Sequence, residues 1–346
     1  TAGWVVGHLY GGILTRFFDW RLIFWLNLPI CLLAFILLAR ALRPIPVQPA
    51  QGRMDWLGAL LIALSLVALN IGLNSNNTTS TLTSASSSPD QAAWPFVLAA
   101  GALFLLFIFW QRRAAHPLIS FSLFRQPNFT PACLANFLMG ISLFIAIANV
   151  PLFINTLIAQ TLEQGAWDSG WVLSALTVPM ALASIPGGWM TVRFAYRRPA
   201  ILGMIAALGG FLLMQTWKMD TTYGVMIPQL VLTGIGFGLT MAPIAAAAIN
   251  AASASERGAA SGLVIIFRLV GMTIGVSGIA SYGVQRAQQL STLLLAGSTD
   301  RSEIVRVGMQ VAERVISETF IIAAGFAAIS IIPILWLRAK NQKESP

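Results

Sequence analysis

"ERGAASGLVIIFRLVGMTIGV", from Glu256 to Val276, is an apolar run carrying two pairs of glycines four residues apart, Gly258/Gly262 and Gly271/Gly275, and one arginine, Arg268. As a helix it rises about 15 Å between Gly258 and Arg268. A bilayer core is about 30 Å thick and takes roughly 20 apolar residues to cross. If the run spans a membrane, Arg268 therefore sits near the midplane. There, contact with lipid costs about 2.5 to 3.5 kcal/mol, so its side chain must face protein or water. Two roles fit: a cation facing a substrate or a gate, or a structural arginine held by backbone carbonyls or a helix C-terminus. The glycines let helix backbones approach closely where lipid offers no hydrophobic drive to associate.

The rest of the chain supports a membrane as its solvent. Of 346 residues, 57% are hydrophobic and 10% charged, too little polar surface to clothe a soluble globule of this size. Apolar runs predict ten helices: a short span at 1–15, then 22–40, 55–74, 94–111, 130–156, 169–192, 199–217, 223–249, 259–284 and 319–338. Ten-residue segments of alternating polarity, the mark of a transmembrane barrel, are absent. The net charge of +9 is spread over many loops, which speaks for orientation signals and against a nucleic-acid patch. Cys31 and Cys133 both fall inside spans and imply neither disulfide nor metal framework.

Loops should alternate in Lys/Arg content if the spans are right, with the excess cytoplasmic. One set holds thirteen: Arg40, Arg43, Arg53, Arg112, Arg113, Arg125, Arg193, Arg197, Arg198, Arg257, Arg338, Lys340 and Lys343. The other holds Arg16, Arg21, Lys218 and the four arginines of the segment 285–318. The C-terminal tail is thus expected in the cytoplasm. Outside lie a low-complexity loop, Asn74 to Gln91, and the stretch Thr299 to Phe320. The latter puts Ile304, Val311 and Val315 on one helical face and Arg306, Gln310 and Glu313 on another, predicting a helix on the outer membrane surface or an extension of the last span.

Enzyme signatures are missing: there is no GxxxxGK[ST], HExxH, CxxC or GxSxG, and His8 and His116 offer no metal-ligand spacing. The expectation is a protein that is not an enzyme and takes no cofactor or metal. Polar residues at membrane depth, Asn136, Asn149 and Gln229, need partners there. They predict interhelical hydrogen bonds or, with Phe137, Phe144, Trp171 and Arg268, the wall of a substrate cavity. Pro179, Pro186, Pro228 and Pro243 mark helix interruptions of the kind that border transport pathways. No acid falls convincingly at membrane depth to serve as a proton relay.

Three stretches together resemble the major facilitator superfamily, in particular its fourteen-span drug:proton antiporter branch, the EmrB/QacA-like exporters. "GHLYGG" (Gly7 to Gly12) is similar to the antiporter motif G-P-x-x-G-G of the fifth helix, and "DWRLIFWLNLPI" (Asp19 to Ile30) to the start of the sixth. "GGWMTVRFAYRRP" (Gly187 to Pro199) resembles the cytoplasmic loop G-x-L-A-D-R-x-G-x-R-R, with Gly188, Arg193, Arg197 and Arg198 at its positions. "RGAASGLVIIFRLVGMTIGV" is close to the R-G-x-A-S-G-x-x-x-x-x-R-x-x-G-x-x-x-G pattern of the thirteenth helix. Three positions depart: His8 stands for the motif proline, Val192 for the loop aspartate and Ala195 for the loop glycine.

The resemblance implies an all-α polytopic bundle of the major facilitator type, with about ten helices equivalent to the fifth to the fourteenth. Residues 1–43 would be the last two helices of an N-terminal bundle, 44–127 two extra central helices, and 128–346 a C-terminal six-helix bundle. Beginning at Thr1, the chain is expected to be a fragment whose four preceding helices carry the proton-coupling acids. The implied function is proton-coupled efflux of small lipophilic or amphipathic compounds by alternating access in a bacterial plasma membrane, with no nucleic-acid partner. Transport of a defined metabolite, or a nontransporting membrane protein, are the rivals. Gly3, Gly7, Gly11 and Gly12, with His8, form a ladder expected to press against another helix.

Overall fold

The computed structural model describes residues 21–42, 55–78, 94–114, 121–295 and 300–338, together with Gly7, Tyr10, Gly11, Ile13, Leu14, Phe17 and Pro117. Everything regular among them is helical: α1 (Leu22–Leu42), α2 (Trp56–Thr78), α3 (Trp94–Arg113), a 3-10 turn (Phe121–Arg125), α4 (Phe129–Phe153), α5 (Leu162–Phe194), α6 (Arg197–Met214), α7 (Tyr223–Ala251), α8 (Arg257–Leu295) and α9 (Arg301–Leu335). All nine α-helices are long and apolar enough to cross a membrane. They match the last nine expected spans; the first, at 1–15, lies largely outside the described residues.

Helices α4 to α9 form one bundle, in which α7 packs between α5 and α6, α8 along α4, and α9 against α4 and α6. Glycine sets how closely they approach. The small residues of "GIGFG" serve two neighbours at once: a side chain at Gly234 or Gly238 would run into the α5 backbone at Leu176 or Met180, and one at Gly236 into the α6 backbone at Gly203 and Ala207. Between these seams lie fully buried rings, Phe129, Phe153, Phe211, Trp217, Phe237 and Phe320. The four prolines expected to interrupt helices lie inside α5 and α7, which run on through them. A single turn of π-helix, Ile154–Ile158, follows Pro151 at the end of α4 instead, closed by the Ala159 N–H donating to the Ile154 carbonyl (2.8 Å).

The central pair, α2 and α3, is pinned at three levels. At the arginine-rich end the Asp55 carboxylate accepts from the Gly58 backbone N–H (2.8 Å), Trp110 Nε1 (3.0 Å) and Gln111 Nε2 (2.6 Å). Midway, Ser65 Oγ donates to the Ala100 carbonyl (3.0 Å). At the far end Gly72 lets α2 touch the α3 backbone at Val97. Partial burial pushes the Asp55 carboxyl up, but the three donors outweigh it and hold it below the usual carboxylate range. A carboxyl depressed in the folded state stabilises above its unfolded pKa and loses that contribution as pH falls through its folded one. Asp55 to Asn should therefore loosen the α2–α3 end at neutral pH, read as faster amide exchange at Trp110 and Gln111. In the parent protein the same loosening should be confined to pH below about 4.

Helices α8 and α9 exceed the membrane. With 39 and 35 residues, they are about 58 and 52 Å long. The segment 285–318, for which an extension of the last span was one of the two expected forms, is mostly the continuation of both helices past the bilayer on the arginine-poor side. Val307, Val311 and Val315 bury against Leu290 and Ala287. Val307 thus takes the place expected for Ile304, which is 42% exposed. At the root of this overhang Glu318 of α9 accepts two bonds from Arg286 of α8 (2.8 and 3.0 Å) and one from Tyr282 (2.7 Å), with Arg314 also near (3.4 Å). Helix α1, by contrast, is exposed from Phe24 to Ala41, with Leu22 and Ile23 half-buried at its start.

Candidate functional site

The face that carries Arg268 is built by a reciprocal glycine seam between α4 and α8. A side chain at Gly140 would strike the Arg268 carbonyl, one at Gly271 the Phe137 carbonyl, and one at Gly275 the Ile141 backbone. The seam is tied by Asn136, whose Nδ2 donates to the Val264 carbonyl (2.6 Å). Gly258 and Gly262, spaced alike in the sequence, have open space before them. The Arg268 guanidinium is half-buried, and no described residue bonds to it or pairs with it.

The other expected wall residues are not gathered round one cavity among the described residues. Phe144 and Asn149 share a cleft of about 470 Å³ with Val276, Ile279, Val315 and Thr319, where α4, α8 and α9 meet. Asn149 Nδ2 donates within it to Thr319 Oγ1 (2.7 Å). Phe137 lines a different space, between the central pair and the bundle. Gln229 accepts from Trp217 Nε1 (2.6 Å), whose indole lies between the Phe153 and Phe320 rings. All three deep amides thus bond to neighbouring helices or the segments that join them.

Trp171 belongs to a cluster at the arginine-poor end. Its Nε1 donates to Asp168 (3.2 Å), which also accepts from Tyr223 OH of α7 (2.8 Å), and the two rings meet at 5.2 Å. Asp168 was expected outside the span, which the hydropathy begins at 169. Helix α5 starts seven residues earlier, capped by Thr161, whose hydroxyl accepts from the Gln164 N–H (3.2 Å). The Thr-x-x-Gln spacing is a helix-start signal present in the sequence. One turn away Trp167 meets the ring of Phe17 edge-on at 6.1 Å, which ties the first stretch of the chain to α5.

In the loop motif Arg193 lies over the Trp189 and Phe194 rings at 5.6 and 6.0 Å. Val192, in the aspartate position, is 87% exposed. Gly188 only brushes Ala242. Arg197 and Arg198 share a shallow basic depression of about 740 Å³ with Trp336 and Arg338. Ala195, in the glycine position, has φ 62° and ψ 175°, a conformation adopted almost only by glycine. Restoring the motif residue, Ala195 to Gly, should stabilise the protein by about 1 to 3 kcal/mol, seen as a raised Tm in detergent. Of the ladder in the first stretch, Gly3, His8 and Gly12 lie outside the described residues. Among the described residues nothing lies within 4 Å of where side chains at Gly7 and Gly11 would stand.

Comparison with known proteins agrees with this architecture. A family model described as Major Facilitator Superfamily matches residues 1–276 and again 132–346. A triacylglyceride transporter of Mycobacteroides abscessus is 31% identical over 298 residues, which are 83% of this chain and 56% of the relative. One of Mycolicibacterium smegmatis is 28% identical over 334 residues, 91% and 56% of the two chains. One of Mycobacterium tuberculosis is 29% identical over 300 residues, 83% and 56%. The chain therefore spans a little over half the length of these relatives. A crystal structure of a bacterial homolog to the human lysosomal transporter Spinster, inward-facing and unoccupied, aligns with TM-score 0.49 at 14% identity, over 82% of this chain and 70% of that one. With its helical bundle, its glycine seams and a family match that runs from end to end, this multi-pass membrane chain belongs to the Major Facilitator Superfamily.

Proposed function

We propose that the chain belongs to a proton-coupled exporter of lipophilic molecules, of the fourteen-span antiporter type, working by alternating access in a bacterial plasma membrane with its tail in the cytoplasm. In this reading residues 1–43 complete an N-terminal bundle, 44–127 are central extra helices and 128–346 the C-terminal bundle. The observation that carries it is how the deep polar groups are used. Asn136, Asn149 and Gln229 each bond to another part of the bundle, so apart from Arg268 what remains for a substrate is mostly hydrocarbon and aromatic surface. A hydrophilic metabolite would find few donors or acceptors there.

The relatives' names narrow the substrate further, to a neutral glycerolipid. Arg268 favours that choice over the lipophilic cations typical of drug efflux, because a cation near the midplane with no partner among the described residues repels another. The test uses the full-length protein in proteoliposomes with an imposed pH gradient. A fluorescent triacylglycerol analogue should move with the gradient, and ethidium should not. Movement of ethidium alone would replace the lipid reading with drug efflux, and movement of neither would leave a nontransporting membrane protein.

A further inference from the structure

We propose that the space between the central pair and the C-terminal bundle is a seat for one acyl chain of an anionic phospholipid. The space is about 650 Å³ and is walled by Ile62 and Leu66 of α2, Gly101 and Phe104 of α3, Phe137 of α4 and Phe267 of α8. Its one polar side chain is Ser65, whose hydroxyl already donates to Ala100. Elimination identifies the occupant. A void of this size forfeits the packing of every side chain that lines it. Water needs two to four polar partners, and the walls offer none. The pair already rests on the bundle where α2 meets α8, and Asp55, Ser65 and Gly72 fix its own shape at three levels, so neither helix can tilt into the space separately. Hydrocarbon is the remaining filler, and a bilayer supplies it.

Depth and charge then select the lipid. On α3 the lining runs from Val97 to Ile108, about 16 Å of helix, close to half of the ~30 Å hydrocarbon core. That is the reach of one leaflet. At the end of the space lined by Phe121, the Arg112 guanidinium lies over that ring at 5.9 Å, and Arg113 lies over Phe109 at 4.3 Å. Exposed arginines at the rim of an apolar slot between helices suit a phosphate headgroup whose tail fills the slot. The site stands on the membrane-spanning fold alone and is indifferent to what is transported.

Native mass spectrometry of the full-length protein in detergent tests the seat, with no gradient present. The probe is dioleoylphosphatidylglycerol, compared with dioleoylphosphatidylcholine, which has the same tails, and with triolein, which has tails and no phosphate. Phosphatidylglycerol should be retained best. Arg112→Gln with Arg113→Gln should lower its retention about tenfold or more. A side chain at Gly101 meets nothing within 4 Å, so Gly101→Trp should fill the slot and abolish retention, while Gly101→Ala keeps it. Ile62→Phe enters from the opposite wall and serves if Gly101→Trp does not fold. Retention by folded slot-filling variants, no lipid on the parent protein, or triolein held as well as phosphatidylglycerol would each overturn the proposal. The last would assign the space to transported lipid instead.

Discussion

Replacing Arg268 with glutamine should reduce transport at least about tenfold while leaving the full-length protein as stable as before, or more so. A half-buried guanidinium near mid-membrane is partly desolvated, and replacing it by a neutral amide relieves that penalty. Nothing is lost in exchange, because no described residue bonds to the guanidinium. An arginine with a structural role, bonded to carbonyls, gives the opposite result: its removal strands those acceptors and lowers Tm. The pair of measurements, lipid movement in proteoliposomes and thermal unfolding in detergent, therefore separates the two roles that the sequence left open. Lysine at 268 should recover part of the transport, since it keeps the charge but not the planar fork.

The second large effect concerns stability. Valine at Gly271 should destabilise the bundle by about 3 kcal/mol or more, at or beyond the upper end of ordinary overpacking, because its Cβ would strike the Phe137 backbone, which cannot rotate away as a side chain could. Alanine at Gly262, with open space in front of it, should be neutral or stabilise by about 0.5 to 1 kcal/mol through helix propensity. The two glycines sit on one helix, nine residues apart, in motifs of identical spacing. Opposite signs in a melting experiment would show that spacing alone does not identify a seam; equal signs would contradict the packing of α4 on α8.

That contrast also marks how far the sequence could be read. Hydropathy located the nine described spans, because in lipid every crossing segment must be apolar and helical. It could not say which glycine pair meets a neighbour, since that depends on the rotation of α8 about its axis. It allowed for an extension of the last span, but it could not follow α8 past the bilayer, where hydropathy falls while the helix continues through Arg286. Asp168 was missed because an acid near the start of an apolar run looks like a loop residue until Thr161 and Gln164 are read as a cap. The latch at Asp55 joins residues 55 and 56 positions apart, which no local pattern reveals. Asn136, Asn149 and Gln229 were legible as groups needing partners, but their partners, Val264, Thr319 and Trp217, were set by tertiary packing.

The excess length of α8 has a mechanical consequence. From Gly271, at the tight seam on α4, to Leu295 the helix runs about 36 Å in a single rigid piece, and the Arg286–Glu318 clamp makes α9 move with it. A tilt of about 10° at the seam, too small to register as a rearrangement inside the bundle, carries the tip roughly 6 Å sideways. The pair acts as a pointer: motion too slight to resolve beside Arg268 becomes large at the far end, in water, where a spin label or fluorophore reads it without touching the transport pathway.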